Sequence, residues 1–121
     1  MLRHLTILIG LLLLAGCTQG PKSDPRLMRA GSLAADSPHE ALAVLDSVCP
    51  DSLSKADRYR YDFLTVKASD KAFVTHTSDS LILGVMAYAE SHPSAIPYAE
   101  ALYYGGRVYS DLGDYPTALS Y

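Results

Sequence analysis

An all-α fold made of successive antiparallel helix pairs is what this 121-residue sequence predicts, on three observations. Beyond residue 24, apolar residues recur at helical spacing, and no window alternates long enough with the period of two that a half-buried strand shows. Cap residues followed by proline stand ahead of several apolar runs, where a fixed φ and a missing N–H suit the first helical turn. Short polar breaks, most of them bearing Gly or Pro, separate the runs and fold each helix back on the one before.

The elements follow in order. Asp24-Pro25 is a cap with proline in the first turn, opening a helix through about Ala35. Ser37-Pro38-His39-Glu40 predicts a capping box, with Ser37 accepting from the backbone and Glu40 reaching back to it. The helix that follows sets Ala41, Leu42, Leu45 and Val48 on one stripe, and Pro50 stops it. Ser54-Lys55-Ala56-Asp57 opens a third helix, to about Ala72, by a weaker version of that device. Its two apolar rows, Tyr59-Phe63-Val66 and Tyr61-Leu64-Ala68, predict cover on two sides.

After the break at residues 76–80, a fourth helix from about Ser80 to Ser91 buries Leu81, Ile82, Val85, Met86 and Ala89. His92-Pro93-Ser94 turns the chain. A fifth helix is expected from about Ala95 to Leu112, with Pro97 in its first turn and Ala95, Ala99, Leu102, Gly106 and Tyr109 on its packed face. Gly113 is placed for a left-handed cap, and Tyr115-Pro116-Thr117 begins a short sixth helix.

The amino-terminal end carries a different pattern. Met1-Leu2-Arg3-His4 gives a positive head, Leu5 to Leu14 is apolar, and Leu14-Ala15-Gly16-Cys17 ends the run on small residues beside a thiol. From Leu5 to Gly16 there are 12 residues, against about 20 for a helix that spans a bilayer. Together these parts resemble a bacterial lipoprotein signal peptide. The resemblance implies removal of residues 1–16, recognition by the peptidase at Leu14, Ala15 and Gly16, and acylation of Cys17. Residues 17–24 then read as a lipidated cysteine and flexible tether, and 25–121 as the helical domain. The expected address is the cell envelope, by preference the outer membrane, with periplasmic face or cell surface left open. An uncleaved short anchor, or a secretory leader with a chance cysteine, is the competing reading.

Without the leader, 9 basic residues stand against 13 acidic ones, a net charge of −4 with histidines neutral. That balance gives no electrostatic footprint for nucleic acid or anionic lipid. Cys49, ahead of Pro50, reads as a small buried hydrophobe, with an intermolecular or redox role as the alternative.

Leu102, Gly105-Gly106, Tyr109, Gly113-Asp114-Tyr115 and Ala118 share an order and spacing that resembles the tetratricopeptide repeat, a helix–turn–helix unit of about 34 residues. In that pattern Gly106 admits the paired helix, Tyr109 fills the gap between helices, Gly113 permits the tight turn and Ala118 is the small contact facing it. Residues 54–91 resemble a full unit with lengthened helices, at a spacing of about 40 residues rather than 34. The resemblance implies a short α–α superhelix with its last repeat incomplete. It also implies a partner groove lined by the first helix of each unit, where Arg60, Lys67, Tyr98, Tyr103 and Arg107 are candidates.

Enzyme chemistry has little support. His39, His76 and His92 read as exposed turn histidines without partners at metal-ligand spacing, so neither a metal nor another cofactor is expected. Asp57, Asp62 and Asp70 alternate with Arg58, Arg60 and Lys67, which reads as a solvated face. The 9 tyrosines are read mainly as packing groups, with ligand stacking as the alternative. The expected function is a lipid-anchored scaffold for an unidentified protein or peptide. The alternative is the sensory or assembly part of a larger envelope protein, and glycan capture is a remote third.

Overall fold

The computed structural model describes residues 23–121, and Leu14, Ala15, Gly16 and Cys17 lie outside the described residues. Six α-helices account for the fold: α1 (Pro25–Leu33), α2 (Pro38–Asp46), α3 (Lys55–Lys71), α4 (Ser80–Ser91), α5 (Tyr98–Asp111) and α6 (Tyr115–Ser120), with one 3₁₀ turn at Pro50–Ser52. There is no strand among the described residues.

Caps set the boundaries. The Asp24 carboxylate accepts from Arg26 N–H ahead of α1, Ser54 Oγ from Asp57 N–H ahead of α3, and Asp114 Oδ1 from Thr117 N–H ahead of α6. The capping box expected at Ser37 does not form. Ser37 makes no side-chain cap bond, and only its backbone carbonyl takes part, accepting the ordinary first bond of the helix from Ala41. Asp57 does not reach back to Ser54 either; Asp57 Oδ2 accepts from Asp24 N–H at 3.0 Å and so ties the start of α1 to the first turn of α3.

Both long odd-numbered helices close by the same exit. Val74 N–H returns to Ser69 C=O and Phe73 N–H to Asp70 C=O after α3; Asp114 and Gly113 do the same to Tyr109 and Ser110 after α5. The pivot after α5 is Gly113 at φ 80°, as its position predicts. After α3 the pivot is Phe73 at φ 60°, a left-handed conformation that costs a bulky residue energy.

Each helix packs on the next in sequence, and α1, α3 and α5 also pack on one another in turn. Neither α2 with α4 nor α4 with α6 makes such a contact among the described residues. The stack is therefore a two-layer array of helix hairpins whose odd-numbered layer is the closer-packed one. Leu27, Leu45, Ile82, Val85, Ile96 and Val108 are almost fully enclosed, each contributing about 1.5–3 kcal/mol by leaving water. α3 sits at the centre, touching α1, α2, α4 and α5, which explains its two apolar rows.

The packed face of α5 differs from the expected one. Its buried residues are Ala101, Tyr104, Gly105 and Val108, while Leu102, Gly106 and Tyr109 are half-buried and Ala99 is exposed. The helix is flanked by α4 on one side and α6 on the other, so it has two contact faces. A Cβ at Gly105 would lie 2.5 Å from Met86 Sδ of α4, whereas one at Gly106 would lie 3.3 Å from the Ala118 carbonyl oxygen of α6. Two adjacent glycines thus serve two different neighbours. The helix also starts later than expected, at Tyr98 with Pro97 as its cap.

Other expectations need correction. Cys49 is exposed, because the chain has already left α2 and Val48 takes the buried place. Asp57 and Asp62 are buried, not part of a solvated face, since four other helices pack around the central one. Burial pushes the Asp62 carboxyl up from its ordinary value against the opposing pull of Arg58 at 3.4 Å.

Candidate functional site

Two sites are assembled on the odd-numbered layer. The first is a groove of about 500 Å³ between α1 and α3, floored by Leu27, Met28, Gly31, Phe63 and Leu64 and flanked by Ser23, Arg60, Lys67 and Ala95. Its shape follows from local sequence. Gly31 has no side chain where one would fill the groove, and a Cβ there would meet only Leu64 Cδ2 at 3.9 Å. Met28 stands open on the next turn, 68 % exposed, as a flexible apolar contact.

The two cations at this groove are held in place. Arg60 Nη1 donates to Ser23 Oγ at 2.6 Å and lies 3.5 Å from Asp57 Oδ1. Lys67 pairs with Glu100 of α5 and stands 5.9 Å from the centroid of the Phe63 ring. Each positive head thus has a carboxylate partner, which leaves the rim close to neutral and gives the apolar floor the main part in any binding. The volume falls within the range of about 300–1,000 Å³ typical of ligand sites.

Of the five groove candidates, Arg60 and Lys67 flank this groove and the other three do not. Tyr98 and Tyr103 are exposed on α5 outside its lining, Tyr103 with its ring edge against Tyr104. Arg107 belongs to the second site.

That second site is a polar cluster where the end of α3, the α3–α4 connection and the end of α5 meet. His76 Nε2 lies 3.1 Å from Asp70 Oδ1, and His76 N–H donates to Asp111 Oδ2 at 3.0 Å. Arg107 Nε and Nη2 approach Asp70 Oδ1 at 3.2 Å and Asp111 Oδ1 at 3.4 Å. The His76 side chain is only 7 % exposed. The expectation of a free turn histidine is therefore corrected, as is that of Asp70 on a solvated face. Linear spacing could not reveal this constellation, because Asp111 arrives from a different helix.

The repeat-pattern residues fall around α5 and α6. Gly106 faces Ala118, Gly113 makes the turn, and Leu102 packs against the core. Tyr109 stacks on Tyr121 with centroids 5.8 Å apart, and its hydroxyl donates to Asp79 Oδ2 at 2.9 Å. Burial and that bond to a carboxylate push the Tyr109 hydroxyl up to about 12, and burial does the same for Tyr104. No family model matches the chain, and neither a curated protein nor a solved structure matches it.

Proposed function

We propose that this chain is a lipid-anchored, tetratricopeptide-like scaffold of the bacterial cell envelope that holds a peptide segment of a partner protein between α1 and α3. The observation that carries this reading is the groove itself: an apolar floor open along a glycine, on the layer where successive first helices touch. The leader pattern ending at Cys17 supports the anchor. Ser23, at the groove edge, is six residues from Cys17, so a lipid there would hold the groove within about 20 Å of the bilayer surface. A peptide held by an apolar floor is recognised through one or two bulky side chains.

The test has two arms. Labelling with a radioactive fatty acid marks the wild-type chain and not Cys17→Ser; label retained on the variant contradicts the anchor. A displayed random-peptide library panned against the full chain enriches sequences with leucine or aromatic anchors. Their binding is lost in Gly31→Phe, which fills the groove from an exposed position without entering the core. Enrichment that survives Gly31→Phe, or none at all, contradicts the groove.

A further inference from the structure

We propose that Asp70, His76 and Asp111 form a binding site for a divalent transition-metal ion of the zinc type. One ligand atom from each of the three lies within 4.8 Å of the other two. His76 Nε2 and Asp70 Oδ1, at 3.1 Å, already sit near the edge length of about 3.3 Å that a tetrahedron with bonds of about 2.0 Å requires. An imidazole with two carboxylates is a donor set that suits zinc and its neighbours.

The surroundings favour an ion over a purely structural network in three ways. His76 N–H holds the Asp111 carboxylate through one oxygen, orienting the other. The resident cation is loosely held: Arg107 makes bonds of 3.2 and 3.4 Å, and its side chain is 39 % exposed. It can swing into water at little cost. A cavity of about 120 Å³ lined by Asp70, Phe73, Thr75, Arg107 and Asp111 gives the ion a way in.

The donors come from α3, a connection and α5, so the site exists only when the chain is folded. Bound metal would therefore staple the α3–α4 connection to α5 and stabilise the fold by mass action.

The test is a titration of the purified full chain with ZnCl₂ in metal-free buffer, following histidine ring nitrogens by NMR and the unfolding midpoint by circular dichroism. One equivalent of Zn²⁺ shifts the His76 resonances, leaves those of His4, His39 and His92 in place, and raises the midpoint. Asp111→Asn, which loses a charged ligand, weakens binding by at least roughly 10–100-fold, the loss that an outer-shell partner alone causes. Arg107→Gln, which keeps all three donors and removes their competitor, binds Zn²⁺ more tightly than wild type. The Arg107 variant decides the matter even where Asp111→Asn fails to fold. Unmoved His76 resonances, uptake through Cys49 alone, or no tighter binding by Arg107→Gln overturns the site and leaves Arg107 as its structural cation.

Discussion

At the scale of single residues, the informative groups are polar ones that the fold has enclosed. Tyr104 and Tyr109 have hydroxyls pushed up to about 12, against about 10 for a free tyrosine. Between these values the folded chain keeps protons that the unfolded chain has released. Stability is then fully present below pH about 10 and is lost as pH rises through about 12. Chemical unfolding at a series of alkaline pH values checks this. The wild-type midpoint falls steeply across that window, and Tyr109→Phe falls less steeply because one of the two linked protons is gone. Equal slopes would show that Tyr109 is not linked to folding. Asp62 has the same sign for the same reason, since burial raises its carboxyl and its charged form is the one the fold disfavours.

Little of this was legible from sequence. Asp62, Asp70 and His76 look like ordinary surface residues when read along the chain; for Asp70 and His76 the partners lie 35 or more positions away, Arg107 for Asp70 and Asp111 for His76. Tyr109 was legible as a gap-filling ring, but its bond to Asp79 was not, since nothing local couples a tyrosine in the last turn of α5 to the cap of α4.

At the scale of elements, α5 shows why a motif and a packing face need not coincide. The repeat pattern drew attention to Gly106, which does face α6, yet the tighter approach is at Gly105 against Met86 of α4. Gly105→Ala gains helix propensity of about 0.5–1 kcal/mol, but its methyl would overlap the buried Met86 side chain. Overpacking wins, and the variant loses about 1–2 kcal/mol. Gly31→Ala is the control, because its methyl meets only ordinary contact and the propensity gain stands. Thermal melts that rank Gly31→Ala above wild type and Gly105→Ala below it bear this out; a stabilised Gly105→Ala would mean that the flexible end of Met86 turns aside without cost. Helix order and most boundaries were readable, since proline, cap residues and period are local. Failure of the capping box at Ser37 was not readable, because side-chain choice at a cap depends on what else surrounds it.

At the scale of the whole molecule, contact among α1, α3 and α5 turns six short helices into a platform with one preferred face. All but α3 and α5 are at or below the lower end of the roughly 12–15 residues at which an isolated helix begins to hold, and burial across the hairpins supplies what local propensity lacks. The groove needs three helices: α1 supplies Leu27, Met28 and Gly31, α3 supplies Phe63 and Leu64, and α5 the Glu100 that pairs with Lys67. Sequence placed Arg60 and Lys67 beside this face but could not orient Tyr98, Tyr103 or Arg107, whose directions depend on helix rotation within the stack. At the other end, Tyr115 and Leu119 of α6 are 63 % and 85 % exposed, an apolar surface separate from the groove.

Site-specific photocrosslinking in living cells tests the groove as the working face most directly. A crosslinking residue at Met28 should trap one discrete partner, with yield lost in Gly31→Phe, while the same residue at Leu83 on α4 traps none. Equal trapping at Met28 and Leu83, or trapping at Met28 that Gly31→Phe leaves unchanged, would contradict the account.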